Sequence, residues 1–223
     1  MELRGPHLNI AIDGPAGVGK TSIGLTLATD LGACFIDTGI MYRAIAYLVL
    51  RHDVPIEDEY KISQLAATTT FTLASDEQGI ESTLLINRTP ITDLLHTDEV
   101  NSIVSKVAMI HDVRTPLVAW QRSIAKERLT VMVGRDITTV VLPEAQIKIY
   151  LDASLAERNR RRSLQNSTPN SDPSAVQRRD ELDSTRTASP LYIGENVMHV
   201  DTTNLTFDQV YKIILTAVNT ANL

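Results

Sequence analysis

The residues Gly14-Pro15-Ala16-Gly17-Val18-Gly19-Lys20-Thr21 have the spacing G-x-x-x-x-G-K-[ST]. Small residues in such a loop let successive backbone N–H groups converge on one phosphate, at a helix N-terminus whose dipole favours anions. Lys20 adds a point charge near the β- and γ-phosphates of a nucleoside triphosphate, and Thr21 offers a hydroxyl suited to Mg²⁺, with Ser22 the adjacent candidate. The bland alternative is a glycine-rich turn that matches by coincidence. Its neighbours weigh against that, since a strand must precede the loop and a helix must follow it. The loop alone says nothing about what receives the phosphate.

The elements around the loop fit. Leu8 to Ile12 is a short apolar run, and Ile23, Leu27 and Leu31 after Lys20 carry helical spacing. Ala33 to Ile36 predicts a second buried strand and Tyr42 to Leu50 a second helix, and this alternation predicts an α/β fold with a parallel sheet. Thr70 to Ser75 and Ser82 to Ile86 read as an inserted hairpin, followed by helices over roughly Asp98 to Ile110 and Arg114 to Glu127. Core strands resume at Thr130 to Val133, Ile147 to Leu151 and Met198 to Asp201. Ser154 with Glu157, and Thr206 with Gln209, have capping-box spacing and should open two more helices, the first carrying Arg158, Arg161 and Arg162 on one face. Asn166 to Ser174, with Pro169 and Pro173, reads as a mobile loop.

Composition excludes several classes of function. The 223 residues suffice for one substantial core, and 43% hydrophobic with 22% charged residues is ordinary for a globular chain. A net charge of −6 and 4% aromatics disfavour a nucleic-acid platform. No stretch has signal-peptide or membrane-span character, so the expected location is the cytosol. The single cysteine, Cys34, reads as a small core residue, and the five histidines show no metal-ligand spacing.

Four further constellations lie downstream: Asp37-Thr38-Gly39-Ile40-Met41-Tyr42-Arg43, Val113-Arg114, Gly134-Arg135-Asp136, and Arg179-Asp180-Glu181-Leu182-Asp183-Ser184-Thr185-Arg186. With the glycine loop they resemble the bacterial cytidylate kinases in content, order and approximate spacing, from about residue 8 to residue 219. The resemblance implies a P-loop NTPase core with a parallel β-sheet flanked by helices, an insert that binds a nucleoside monophosphate (NMP), and a short lid. On that pattern the core covers about 1–37, 128–153 and 190–223, the insert about 38–127 and the lid about 154–189. It further implies a monomeric enzyme that turns ATP plus CMP or dCMP into ADP plus CDP or dCDP, with Mg²⁺ and small-molecule nucleotides as its partners.

The chemistry of a monophosphate acceptor agrees, because an anionic phosphate oxygen needs alignment and charge neutralisation rather than a general base. Arginine forks grip phosphate bidentately, and Arg43, Arg114, Arg135, Arg158, Arg162, Arg179 and Arg186 lie within the matching motifs. The resemblance makes Arg43, Arg135 and Arg186 grips on the acceptor phosphate or transferring group, and Thr38 and Asp183 ribose contacts. Ser105, Arg114 and Asp136 become readers of the cytosine ring, Asp136 accepting from its amino group so that uracil meets a mismatch. Arg158 and Arg162 are the first choices for lid cations and Arg179 an additional substrate contact.

Blander readings exist for most of these. Arg179, Asp183 and Arg186 could form a solvated helix face, Arg135 and Asp136 a structural ion pair, Ser105 an ordinary helix hydroxyl, and Trp120 core packing rather than a stacking platform. Gly134 suits close approach of backbone to ligand. Departures from the pattern are Val133, where members usually carry an acid, Thr138, where they usually carry glycine, and a shorter stretch before Arg186. If position 138 requires positive φ, a β-branched residue there is strained. The competing functions are a UMP/CMP-type or shikimate-kinase-like enzyme, for which Asp37 could serve as base, and a nucleotide-binding module without transfer.

Overall fold

The computed structural model describes residues 8–75, 81–165, 174–186 and 189–221. Its central sheet has the strand order β2-β6-β1-β7-β8, all parallel: β1 Asn9–Asp13, β2 Cys34–Asp37, β6 Thr130–Gly134, β7 Ile147–Asp152 and β8 Met198–Asp201. These strands read as nearly continuous apolar runs because helices cover both faces. On one face Ile10, Ile12, Val131, Val133, Ile149 and Leu151 pack against Ile23 and Leu27 of α1 (Lys20–Leu31) and Ile214 and Val218 of α8 (Phe207–Ala221). The α8 start is a full capping box: Gln209 N–H donates to Thr206 Oγ1 at 3.3 Å and Thr206 N–H donates to Gln209 Oε1 at 2.8 Å.

Residues between β2 and β6 build a second core. It joins α2 (Thr38–Arg51), α3 (Glu59–Thr68), the antiparallel sheet β3 (Phe71–Ser75), β4 (Glu81–Ile86) and β5 (Thr89–Pro90), a 3₁₀ turn Thr92–His96, α4 (Asp98–Met109) and α5 (His111–Glu127). Met41, Ile45, Ile62, Leu95, Val107, Val113 and Leu117 are its buried centre. The expected hairpin is therefore present, with its turn outside the described residues. The helix α3 was not anticipated: only Ile62 and Ala66 on it are fully buried, and its start depends on Asp58 accepting from Lys61 N–H at 3.1 Å. Trp120 packs at 6.0 Å from Phe71, as core rather than platform. Cys34 is buried, which pushes its thiol up to about 11.

The helices α6 (Leu155–Gln165) and α7 (Ser174–Thr185) pack against each other; of the loop expected over 166–174, residues 166–173 lie outside the described residues and Ser174 opens α7. The capping box at the head of α6 is half formed. Glu157 N–H donates to Ser154 Oγ at 3.3 Å, but the Glu157 carboxylate turns to Arg160 and Arg161, and Ser154 N–H finds Thr203 Oγ1 instead.

Candidate active site

The glycine loop connects β1 to α1 at the carboxyl end of the parallel strands, where helix N-termini and strand ends converge. Gly14 has φ 148°, and a Cβ there would lie 2.1 Å from the Leu151 carbonyl oxygen, so no other residue fits. The Lys20 ammonium folds back over the loop and donates to the carbonyls of Gly14 and Pro15, each at 2.7 Å. Thr21 Oγ1 donates to Asp37 Oδ2 at 2.7 Å, while Asp37 Oδ1 caps α2 by accepting from Gly39 N–H at 2.9 Å. Ser22 is exposed beside it. A hydroxyl and a carboxylate oxygen at the mouth of a phosphate loop suit a hard cation such as Mg²⁺. Val133 is the register partner of Asp37, and its side chain points into the core, where Gly24 leaves room for it. The acid next to the loop thus comes from the end of β2, one strand over from Val133.

The arginines of α6 divide their work. Arg158 is buried over the loop: Nε donates to Ala153 O at 3.0 Å, Nη1 to Ala16 O at 3.3 Å, and it forms an ion pair with Asp180 of α7. Asp180 also accepts from Ala16 N–H at 3.3 Å. Arg161, which the sequence reading ranked behind its neighbours, reaches Thr202 O at 2.7 Å, Thr202 Oγ1 at 2.9 Å and Val18 O at 3.4 Å. Its carboxylate partner Glu157 is held down to about 2 by hydrogen bonds from Arg160 and Arg161. Arg162 faces the open cleft.

Across that cleft stand Arg43 and Arg135. Arg43 Nη1 donates to Leu95 O at 2.9 Å and Asn101 Oδ1 at 2.8 Å. Burial lowers its pKa; Asp37 opposes the shift, and the positive charges of Arg162 and Arg135 add to it. All three guanidinium groups line the same cleft, with Asp37 the carboxylate that offsets their charge at Arg43. Arg135 Nε donates to Asp183 Oδ2 at 2.8 Å, which ties the end of β6 to α7. Thr38 is buried, donating its hydroxyl to Val133 O at 3.0 Å. Gly134 admits Thr38 and Ile137 rather than a ligand: a Cβ there would come within 2.5 Å of Thr38 Oγ1.

Beyond Arg135 the site closes. Arg114 and Asp136 form an ion pair with both side chains only 5% exposed. Arg114 also donates to Ala108 O at 3.1 Å and Ser189 Oγ at 3.2 Å, and lies 5.2 Å from the Tyr42 ring centroid. Arg186 Nη2 stands 3.8 Å from Asp136 Oδ1 and is buried without a hydrogen-bond partner, as is the Tyr42 hydroxyl. Burial pushes the Tyr42 phenol far up and Arg186 down. Ser105 is half-buried on α4, one turn after Asn101. The backbone of Arg179 is on α7, but its side chain lies outside the described residues.

One cleft of about 1130 Å³ is lined by Gly17, Lys20 and Thr21 of the phosphate loop together with Arg43, Arg135 and Arg162. Asp37, Arg161, Asp180 and Tyr42 are the residues that sequence reasoning left out of the site. Asp37 and Tyr42 flank Thr38 and Arg43 in one motif, Asp180 sits between Arg179 and Asp183 in another, and Arg161 shares a helix face with Arg158 and Arg162, so position was the available signal.

The family model described as Cytidylate kinase matches residues 10–220. A cytidylate kinase of Geobacillus sp. (strain WCH70) is 39% identical over 219 residues, covering 96% of this chain and 97% of that protein. The Bacillus subtilis (strain 168) cytidylate kinase is 39% identical over 217 residues, 95% of this chain and 96% of that one. A solved structure of an uncharacterized protein from Eubacterium ventriosum ATCC 27560 superposes with a TM-score of 0.51 at 12% identity, covering 96% and 99% of the two chains, a likeness of fold alone.

Proposed function

The chain belongs to the cytidylate kinase family, and from that premise we propose how its residues divide the work of moving the γ-phosphoryl group of ATP onto CMP or dCMP. The amides of Gly14 to Lys20 hold the donor phosphates, with Pro15, Ala16 and Val18 shaping the loop and Thr21 rather than Ser22 facing the metal. Thr21 and Asp37 supply oxygen donors for Mg²⁺, which when bound neutralises charge on the β- and γ-phosphates. Lys20 leaves the Gly14 and Pro15 carbonyls for the phosphates. Arg43, Arg135 and Arg162 grip the acceptor and transferring groups, Arg158 and Arg186 neutralise charge as it spreads over the equatorial oxygens, and Arg179 adds to the acceptor side. An acceptor phosphate oxygen forms a bond to the γ-phosphorus while the bond to the β,γ-bridging oxygen breaks, and ADP keeps that electron pair.

Thr38 and Asp183 stand for the ribose, and Ser105, Arg114 and Asp136 for the cytosine ring. We read the chain as one kinase domain, with core about 1–37, 128–153 and 190–223, insert about 38–127 and lid about 154–189, acting as a monomer in the cytosol. Among the described residues no helix is long and apolar enough to cross a membrane.

The observation that carries this reading is that Arg43, Arg135 and Arg162 line the same cleft as Lys20, a concentration of positive charge that suits an anionic acceptor better than an alcohol. A Mg²⁺-dependent ADP-release assay against CMP, dCMP, UMP, AMP, GMP and shikimate tests it. CMP and dCMP should turn over fastest; shikimate turnover, equal efficiency on CMP and UMP, or ATP binding without transfer would overturn it.

A further inference from the structure

Asp13, the last residue of β1, is fully buried and engages a turn that begins 123 residues later than its own neighbour Gly14 in the chain's core. Its Oδ1 accepts from Ile137 N–H at 2.8 Å, and its Oδ2 accepts from Thr138 N–H and from Thr138 Oγ1, each at 2.7 Å. Those donors open the π-helical turn Ile137–Val141, which follows directly on Arg135 and Asp136.

Asp136 occupies the N-cap position of that turn but makes no side-chain cap. An aspartate so placed ordinarily turns back on the first free amides of its own helix. Here Asp13 has taken the amides from a different strand, and the Asp136 carboxylate is left to face Arg114 and Arg186. Thr138 is not strained by this: it is absent from the non-glycine residues with positive φ, and its hydroxyl is the third donor to Asp13. The condition for strain at position 138, a positive φ, is therefore not met, because the turn is right-handed there.

We propose that Asp13 is a positioning residue for the acceptor base: by capping the turn in place of Asp136, with Thr138 as hydroxyl donor, it holds the Asp136 carboxylate in the pocket. The proposal rests on the reading of Asp136 as a base contact. Asp13 also adjoins Gly14, so the same carboxylate fixes the acceptor turn to the root of the phosphate loop.

The state of this carboxyl is open to titration. Burial pushes it up to about 6, against the pull of the Thr138 hydroxyl and the Thr138 and Ile137 amides, and the negative charge of Asp136 adds to the rise. The other groups around it are Tyr150, its register partner on β7, itself pushed up to about 12, chiefly by burial, and Lys20, whose ammonium sits on the Gly14 carbonyl; its partner on β6 is Gly134. Below about 6 the protonated carboxyl can no longer accept from all three donors.

Thr138→Val removes the hydroxyl at constant shape and should raise the Asp13 pKa. The acid limb of kcat/KM for CMP then moves to higher pH, and KM for CMP at pH 7 rises about fivefold, the worth of one hydrogen bond, while kcat and KM for ATP stay within about twofold. Thr138→Ser should restore the wild-type profile. Titration of the CMP phosphate is common to all variants and cancels in the comparison. Asp13→Asn, followed by calorimetric CMP binding from pH 5 to 8, is the second arm and should weaken binding without an acid limb. Unchanged CMP binding and pH profile in Thr138→Val and Asp13→Asn, or equal loss of CMP and ATP affinity, overturns the proposal. Failure of the underlying reading shows separately, as an Asp136→Ala enzyme whose choice between CMP and UMP is unaltered.

Discussion

On the donor wall of the cleft the proposed groups for phosphate are backbone amides of one short loop at the start of α1, together with Lys20, which is held by two carbonyls of the same loop. On the acceptor wall the proposed groups are guanidinium groups from α2, α6 and the end of β6, with those of α5 and the end of α7 buried beyond them. There Arg114 faces Asp136, Arg135 faces Asp183 and Arg43 faces Asn101. The donor wall is organised before nucleotide arrives. The acceptor wall is organised by its own charges, which substrate must rearrange. Losing a donor-wall group should therefore remove chemistry and leave the fold intact, whereas losing an acceptor-wall carboxylate should expose a buried cation and cost stability as well.

The largest expected effect is that of Lys20→Ala. Single-turnover transfer to CMP should fall by about 10³-fold, the order of magnitude for a preorganised electrostatic group, with the denaturation midpoint nearly unchanged. A parallel loss of stability would break the contrast between the walls. Asp136→Ala comes next. It leaves Arg114 and Arg186 buried together, so denaturant unfolding should show a loss of about 3–5 kcal/mol alongside erased base preference. A variant as stable as the parent would mean that the acceptor arginines are not held by their internal partners.

The smallest effect sharpens the comparison at a place where a carboxylate covers an amide of the donor wall. Asp180 takes Ala16 N–H and pairs with Arg158. Asp180→Ala should therefore tighten ATP binding by about fivefold in the absence of CMP, the worth of about one hydrogen bond. Weaker ATP binding in calorimetry would mean instead that Asp180 aligns Arg158 for the nucleotide.

The donor wall was legible because its geometry is local: a strand, a glycine loop and a helix determine it without reference to the rest of the chain. The parallel sheet and most helices were legible for a related reason, since apolar spacing and caps are local signals. The helix α3 escaped because two buried residues and one Asp58 cap are a weak periodic signal. Glu157 was read as half of a capping box, but two neighbouring arginines outcompete the Ser154 amide for its carboxylate. Arg161 ranked behind Arg158 and Arg162, yet it is the one that joins α6 to Val18 and Thr202, because only packing sets which face of α6 meets the loop.

The sequence by itself determined that the chain handles a nucleoside triphosphate and carries enough arginine for a second phosphate, since both follow from residue type and short spacing. Only the tertiary structure decided which cation faces which anion. Asp13 meets Thr138, Thr21 meets Asp37, and Arg135 meets Asp183. Such pairings form between strand ends and helices distant in sequence, and burial, which no local pattern states, forces each charged group to find a partner before substrate offers another.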